Sequence, residues 1–364
     1  MKKILVIRLS AIGDVLFTLP AVGALIAGPK SGEASPGGAR VSWLVEDKAA
    51  AILSARRDLA EVIVYPRATI KRHLRNPLLW PALVVLLFRY VRRLRAERYD
   101  LVLDFQGNLK SGFHSLLVRG KRTIGFARGH CKESAHLFYN EKVVPPPQAV
   151  HRVEKAFSLA FRSVENGEIP RPDLQIPERF VCRAAASIRE IVDPAKGLVV
   201  MHPGTSVFGA FKRWPAERFG LLSRRLHQAT GLHALITWGP GERELAERAA
   251  GASDQRAHVA PATASILELA ALISQGTLFV AADSGPLHMA NLLGIPCVAL
   301  FGPKDPAIYK PYFEPATVVR TNPHCCPCSV RRCDNPVCMT GMTVDQVFEA
   351  AMALVERKAD SKKG

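Results

Sequence analysis

The segment AADSGPLHMANLLGIPCVALFGPKDP, residues 281–306, constrains the fold more than any other stretch of the chain. Its pattern is a strand, a tight turn, a short helix, a glycine stop, a second strand and a Gly-Pro turn. Such a strand–helix–strand unit belongs to a parallel sheet covered by helices. The turn sets Asp283, Ser284 and Gly285 at the mouth of the helix, with Pro286 suited to its first position and Gly294 to its end. Backbone N–H groups at a helix start point outward and favour negative charge, so this turn is an anion site flanked by a carboxylate. His288, in the first helical turn, faces the same ligand or is structural.

The same alternation runs along the rest of the chain. Strands are expected over Lys3–Arg8, Val41–Val45, Glu61–Tyr65, Leu101–Asp104 and Thr123–Phe126. Helices are expected at Asp14–Ala27, which Pro20 should shorten or kink, and near Arg152–Val164. Gly28–Arg40, rich in Gly, Pro and Ser, is expected to be a loop. Prolines punctuate 145–177 and put a domain boundary near 165–180. Strands then resume at Gly197–Met201, Leu232–Trp238 and Leu278–Ala282, with helices at Ala216–Thr230, Glu242–Ala250, Ile266–Ser274 and Val344–Arg357. The chain divides into an α/β domain over 1–170, a second over 171–345, a terminal helical segment over 346–357 and a tail, 358–364, expected to be disordered. Two parallel-sheet domains joined by a short linker are expected to face a central cleft, where ligands bind.

Charge narrows the partners. With 49 Lys and Arg against 32 Asp and Glu, the net charge is +17, which implies nucleic acid, an acidic membrane surface or a phosphorylated substrate. No nucleic-acid motif accompanies the charge and aromatic residues are only 7%, so a non-enzymatic nucleic-acid binder ranks last. No apolar run approaches the roughly 20 residues of a spanning helix. In MKKILVIRLS, Arg8 interrupts the apolar run and Asp14 follows, so Ile4–Ile7 is expected to be a buried strand rather than part of a signal peptide. The eight cysteines are therefore expected to be reduced thiols in the cytosol.

Three more strand ends carry residues suited to sugars or phosphates. Ser10, Gly13 and Asp14 follow the first strand; Gly13 lets the backbone approach a ligand, while the plain alternative is a turn with an Asp N-cap. His202-Pro203-Gly204-Thr205-Ser206 leads to Lys212-Arg213-Trp214-Pro215, where Thr205, Ser206 and Lys212 can bind phosphate oxygens, unless the loop is merely solvated and the Trp-Pro pair packs. Glu242 follows Gly239-Pro240-Gly241 and suits ribose or base recognition, or simply starts a helix. Four such strand ends support one another.

Two segments stand apart. Cys325, Cys326, Cys328, Cys333 and Cys338 raise a zinc site on Cys325, Cys328, Cys333 and Cys338 as the minor alternative. Their spacing matches no standard zinc module and Arg331 and Arg332 oppose a cation, so a thiol-rich packed loop is preferred. The segment 77–98 has an apolar centre, Leu78 to Phe88, between Lys71, Arg72 and Arg75 on one side and Arg89, Arg92, Arg93, Arg95 and Arg98 on the other. It fits a membrane-surface helix or a core helix with a basic end.

Taken in order, ILVIRLSAIGDVLFTLPAV, LVLDFQGNLKSG, RTIGF, HPGTS, KRWP and DSGPLHMANLLGIPCVALFGP resemble the ADP-heptose:lipopolysaccharide heptosyltransferases, glycosyltransferase family nine, over most of the chain. The resemblance implies a GT-B architecture of two Rossmann-like domains, acceptor on the first and sugar nucleotide on the second. It implies inverting transfer of heptose from ADP-heptose to the Kdo or heptose of a lipid A-type acceptor, without a metal or other cofactor; the chain contains no D-x-D pair. By position, Asp14 takes the place of the catalytic base and Lys212 that of the phosphate-stabilising cation. Thr205, Ser206, Glu242, Asp283, Ser284, Gly285 and His288 match donor-binding positions, and Ser10, Gly13, Gln106, Arg122 and Arg128 fall to the acceptor. The Gly204–Lys212 loop is longer than the usual spacing, and Gly28–Arg40 is an insertion. The resemblance places the protein on the cytoplasmic face of the inner membrane as a peripheral protein. A family-nine transferase with another sugar nucleotide or acceptor is the alternative.

Overall fold

A computed structural model describes residues 1–28, 38–162, 169–193, 197–328, 330 and 332–360. The chain forms two compact units, Met1–Pro172 and Asp173–Gly364.

The first unit holds strands β1 (Lys3–Ile7), β2 (Arg40–Glu46), β3 (Glu61–Tyr65), β4 (Arg98–Asp104), β5 (Arg119–Phe126) and β6 (Glu141–Val143). Its helices are α1 (Ile12–Ala27), α2 (Asp47–Ser54), α3 (Arg67–Leu74), α4 (Trp80–Leu94), α5 (Leu109–Leu117) and α6 (Arg152–Phe161). The strands pair in parallel in the order β3-β2-β1-β4-β5-β6. Helices cover both faces of such a sheet, so its central strands are continuous apolar runs; four of the five residues of β1 are buried.

The second unit repeats the plan. Its strands are β7 (Leu198–His202), β8 (His233–Ile236), β9 (Ala257–Val259), β10 (Leu278–Ala282), β11 (Cys297–Phe301) and β12 (Ala316–Arg320). They are parallel in the order β12-β11-β10-β7-β8-β9. Its helices are α7 (Glu178–Arg189), α8 (Ala216–Thr230), α9 (Arg243–Gly251), α10 (Ile266–Ser274), α11 (Gly285–Leu292), α12 (Pro306–Tyr309), α13 (Val337–Thr340) and α14 (Val344–Asp360). Val347, Ala351 and Leu354 share one face of α14 by i, i+4, i+7 spacing and are buried in the core. Trp214 packs fully buried against Phe219 and donates from Nε1 to the Met342 carbonyl at 3.0 Å.

Several boundaries differ from expectation. Helix α1 starts at Ile12 and continues past Pro20 to Ala27, so the proline does not shorten it. Val15–Val22 are all buried, and this packing outweighs the roughly 3 kcal/mol that an interior proline costs. The expected tail begins inside α14, which runs to Asp360; residues 361–364 lie outside the described residues. Most of the expected loop, 29–37, also lies outside them, and β2 already begins at Arg40.

In each sheet the strand order reverses between two neighbours, β1 and β4 in the first unit and β7 and β10 in the second. Loops leaving the carboxyl ends of these strands turn opposite ways and leave a crevice, the usual ligand position in open α/β sheets. Ile7 is level with Asp104, and Ala281 with His202, so the flanking loops start at matching heights.

Candidate active site

At the first switch point the chain leaves β1 through Arg8, Leu9, Ser10 and Ala11 into α1. Arg8 is buried to 7% exposure and pairs through Nη2 with Asp14 Oδ1 at 2.7 Å. Its second terminal nitrogen, Nη1, donates to the Phe105 carbonyl just beyond β4. Asp14 is not the N-cap. It is the third residue of α1, and its Oδ2 accepts the Ala11 N–H at 3.3 Å, while its side chain keeps 30% exposure. The carboxylate is thus aimed by a buried guanidinium and a backbone donor, with one side open. Gln106, after β4, accepts the N–H groups of Leu9 at 3.1 Å and Ser10 at 3.2 Å, bracing the turn. Below it, Asp104 is fully buried and accepts from Gln106 and Gly107 N–H and from the Tyr139 hydroxyl. Burial raises the Asp104 pKa against the pull of those hydrogen bonds. Gly107 adopts φ +64°, a conformation glycine takes without cost.

Gly13 lies within the first turn of α1, half-buried. Arg128 is exposed just beyond β5, at the carboxyl end of the sheet. Arg122 is not brought to this end of the strand. It sits level with Leu101, three residues before Asp104 and Gly125, and pairs with Glu141, its Nη2 2.8 Å from Oε2. Glu141 also holds Arg162, and these cations keep its carboxyl near 2.

The second switch point gathers the donor candidates. Lys212 Nζ lies 2.8 Å from both the Asp283 carbonyl and Asp283 Oδ2, although 71 residues separate the two. Asp283 Oδ1 is 3.3 Å from His288 Nε2 on α11. Burial pushes the Asp283 carboxyl up, but the His288 hydrogen bond and the Lys212 ammonium together hold it well below the usual carboxylate range. Ser284 caps α11 in extended conformation, yet its side chain makes no cap bond; Oγ is buried without a partner. A buried hydroxyl beside the free N–H groups of a helix start is suited to a phosphate oxygen.

Beside this pair, Arg213 donates from Nε to Thr205 Oγ1 at 3.1 Å and from Nη2 to the Thr205 carbonyl at 2.6 Å and Glu242 Oε1 at 3.2 Å. Glu242 also accepts Gly239 N–H at 3.1 Å; burial raises its pKa, offset in part by that bond and by Arg213. A side chain at Gly204 would meet the Glu242 carboxylate and displace it from its present position. Thr205 is buried and Ser206 exposed at the start of a 3-10 turn over Val207–Lys212. His202, at the end of β7, is 3.0 Å from Thr237 Oγ1, and burial lowers its pKa to about 4. At neutral pH its 3.7 Å approach to Glu242 is therefore not an ion pair. Arg8 and Arg213 are site residues that the motifs alone do not single out. The available signal was a cation where an otherwise apolar strand ends, or beside the lysine of KRWP.

The five thiols of 325–338 line one small cavity with Phe211 and Pro303. Cys325 and Cys333 are exposed while Cys338 is buried. Among the described residues no group of three or more His, Cys, Asp or Glu could hold a metal ion, so the zinc alternative on Cys325, Cys328, Cys333 and Cys338 finds no support. Burial and the neighbouring Cys338 and Cys325 push the Cys326 thiol up to about 12.

Comparison with known proteins places this geometry. Residues 87–338 match the family model described as glycosyltransferase family 9 (heptosyltransferase). The chain is 29% identical over 336 residues to lipopolysaccharide heptosyltransferase 1 of Pseudomonas aeruginosa, spanning 91% of this chain and 87% of that protein. It is 30% identical over 323 residues to lipopolysaccharide heptosyltransferase 1 of Salmonella typhimurium, spanning 85% and 91%. Its fold is similar to that of E. coli heptosyltransferase WaaC, solved with ADP (TM-score 0.74, 24% identity, 97% of this chain and 99% of that one) and with ADP-2-deoxy-2-fluoro heptose (TM-score 0.70, 24% identity, 98% and 99%). Two Rossmann-like units of the GT-B class, each with its polar residues at a switch point, and a family model spanning most of the chain lead to one conclusion: the protein belongs to glycosyltransferase family 9, the heptosyltransferases, and is a glycosyltransferase.

Proposed function

We propose that the enzyme transfers heptose from ADP-L-glycero-D-manno-heptose to the inner core, Kdo or a prior heptose, of a lipopolysaccharide precursor, with inversion and without a metal. The observation that carries the reading is the Lys212–Asp283 pair, 2.8 Å apart, beside the unpartnered Ser284 hydroxyl at the start of α11. The names of the relatives, and the donor analogue bound to WaaC, support the donor's class. In this reading the diphosphate lies against Lys212, Ser284, Gly285 and the loop residues Thr205 and Ser206. Asp283, steadied by His288, holds sugar hydroxyls, and Glu242 receives the nucleoside. As the glycosidic bond to ADP breaks, negative charge grows on the diphosphate; Lys212 and the N–H groups of α11 stabilise that charge. Asp14 takes the proton from the acceptor hydroxyl as its oxygen attacks the anomeric carbon. Arg8 positions Asp14, and Ser10, Gly13, Gln106 and Arg128 contact the acceptor. Arg122, already engaged by Glu141, is left out of that set. The acceptor is a phosphorylated Kdo-lipid A-type lipid, met at the cytoplasmic face of the inner membrane by a peripheral enzyme; among the described residues no helix is long and apolar enough to span.

A donor screen by thermal shift tests the reading. ADP-heptose is expected to raise Tm, because a ligand that binds only the folded state stabilises it by about 2.7 kcal/mol at 100 times Kd. UDP- and GDP-sugars at equal concentration are expected to leave Tm unchanged. An equal rise with a UDP- or GDP-sugar would remove the assignment of the donor.

A further inference from the structure

Between Glu61 and Glu97 the chain carries eight Lys and Arg residues and not one Asp or Glu. The structure shows how this segment is used. Helix α4 turns Leu83, Tyr90 and Leu94 inward, where the Tyr90 hydroxyl meets His114 Nδ1 of α5 at 3.2 Å. Its outward face is also apolar. Trp80 is 55% exposed, Val84 66%, Val85 49% and Phe88 66%, and Leu78 just before the helix is 87% exposed. Single exposed apolar residues are ordinary, but with Leu87, also exposed, there are six between Leu78 and Phe88, and they form a patch that water solvates poorly. The sequence left a surface helix and a core helix both open. Helix α4 is therefore apolar on both its buried and its exposed side over its first half.

The charge around the patch identifies what covers it. Of the eight cations, Arg67 pairs with Glu46 and Arg93 with Glu61. The other six, Lys71, Arg72 and Arg75 before the patch and Arg89, Arg92 and Arg95 after it, have no ion pair among the described residues and all are exposed. An apolar centre with a Trp at its edge and an unneutralised cationic rim complements the boundary of an anionic bilayer, where acyl chains meet phosphates. Long Arg and Lys stems let the charged ends reach the headgroups while the apolar side chains sit deeper.

We propose that the outer face of α4, with the turn before it, inserts into the headgroup–acyl boundary of an anionic lipid bilayer. Trp80, Val84 and Phe88 enter the apolar layer, and the six free cations engage lipid phosphates. This extends the proposed function, which needs a lipid surface where the acceptor is met, by naming the surface that touches it. Its test uses neither donor nor acceptor, so it stands or falls separately from the sugar chemistry.

The test is co-sedimentation of the full chain with vesicles of phosphatidylglycerol and phosphatidylethanolamine, compared with pure phosphatidylcholine. The expected result is binding to the anionic vesicles at least about tenfold tighter than to the zwitterionic ones. The double variant Val84→Ser/Phe88→Ser and the double variant Arg89→Gln/Arg92→Gln should each weaken it by about tenfold or more, with far-UV circular dichroism unchanged. Trp43 and Trp214 are buried, and Trp238 is half-buried in the second unit with its Nε1 bonded to the Ala260 carbonyl, so Trp80 should dominate a blue shift of fluorescence on vesicle binding; Trp80→Phe should abolish the shift and keep the binding. Equal binding to both vesicle types, or full binding by the folded apolar variant, would overturn the proposal. So would a patch that, without binding vesicles, pairs two copies of the chain in solution.

Discussion

Replacing Asp14 with Asn is expected to lower kcat by about 10²–10⁴ while leaving the affinity for ADP-heptose unchanged. The substitution keeps the shape, and the amide oxygen can still accept the Ala11 N–H. It removes the basicity needed to take a proton from the acceptor hydroxyl. It also leaves Arg8, whose side chain is only 8% exposed, without its counter-charge. Removing one partner of a buried pair costs about 3–5 kcal/mol; with Asp14 at 30% exposure solvent screens part of this, and about 1–2 kcal/mol is expected. Steady-state kinetics with saturating donor, alongside urea unfolding, separates the two effects. An Asn variant with wild-type kcat would remove Asp14 as the base.

Replacing Lys212 with Ala should cost about 10²–10³ in kcat, the scale of losing one donor to developing negative charge. Unlike the Asp14 change, it should also weaken donor binding, because the same ammonium holds Asp283 in place. It carries a pH signature as well. In the wild-type protein the Asp283 carboxyl lies below its ordinary value, so the pair contributes stability above the unfolded carboxylate pKa of about 4 and loses it as pH falls through the lower folded value. Without Lys212, burial acts on Asp283 with only His288 to oppose it. The stability gap between wild type and variant should therefore be widest near neutral pH and close on acidification below about 4, read as converging urea midpoints. A gap that widened on acidification would contradict the pairing.

The strand ends were legible in the sequence because polar residues there interrupt apolar runs. Asp283 lies just beyond the buried strand β10, and Asp14, Glu242 and Lys212 lie in the segments that follow β1, β8 and β7, where a side chain has no core to fill. The pairings were not legible. Lys212 meets Asp283, Arg213 joins Thr205 to Glu242, and Arg8 aims Asp14, and two of these three depend on the parallel register bringing distant loops to one level. Arg122 shows the limit of placing a residue by motif alone. Its motif is present, but the strand turns its side chain to Glu141 three residues short of the sheet end. Helix α4 shows another. The apolar run Leu78 to Phe88 fits either a core or a surface, and only its packing, with Leu83 inward and Phe88 outward, separates the two.

The most direct measurement is release of ADP from ADP-heptose by the full chain, with and without a Kdo-lipid A-type acceptor, with the lipid product analysed by mass spectrometry. ADP release is expected only when the acceptor is present, with one heptose added to the lipid for each ADP released. ADP release at the same rate without acceptor, or a lipid that gains no heptose, would contradict the account.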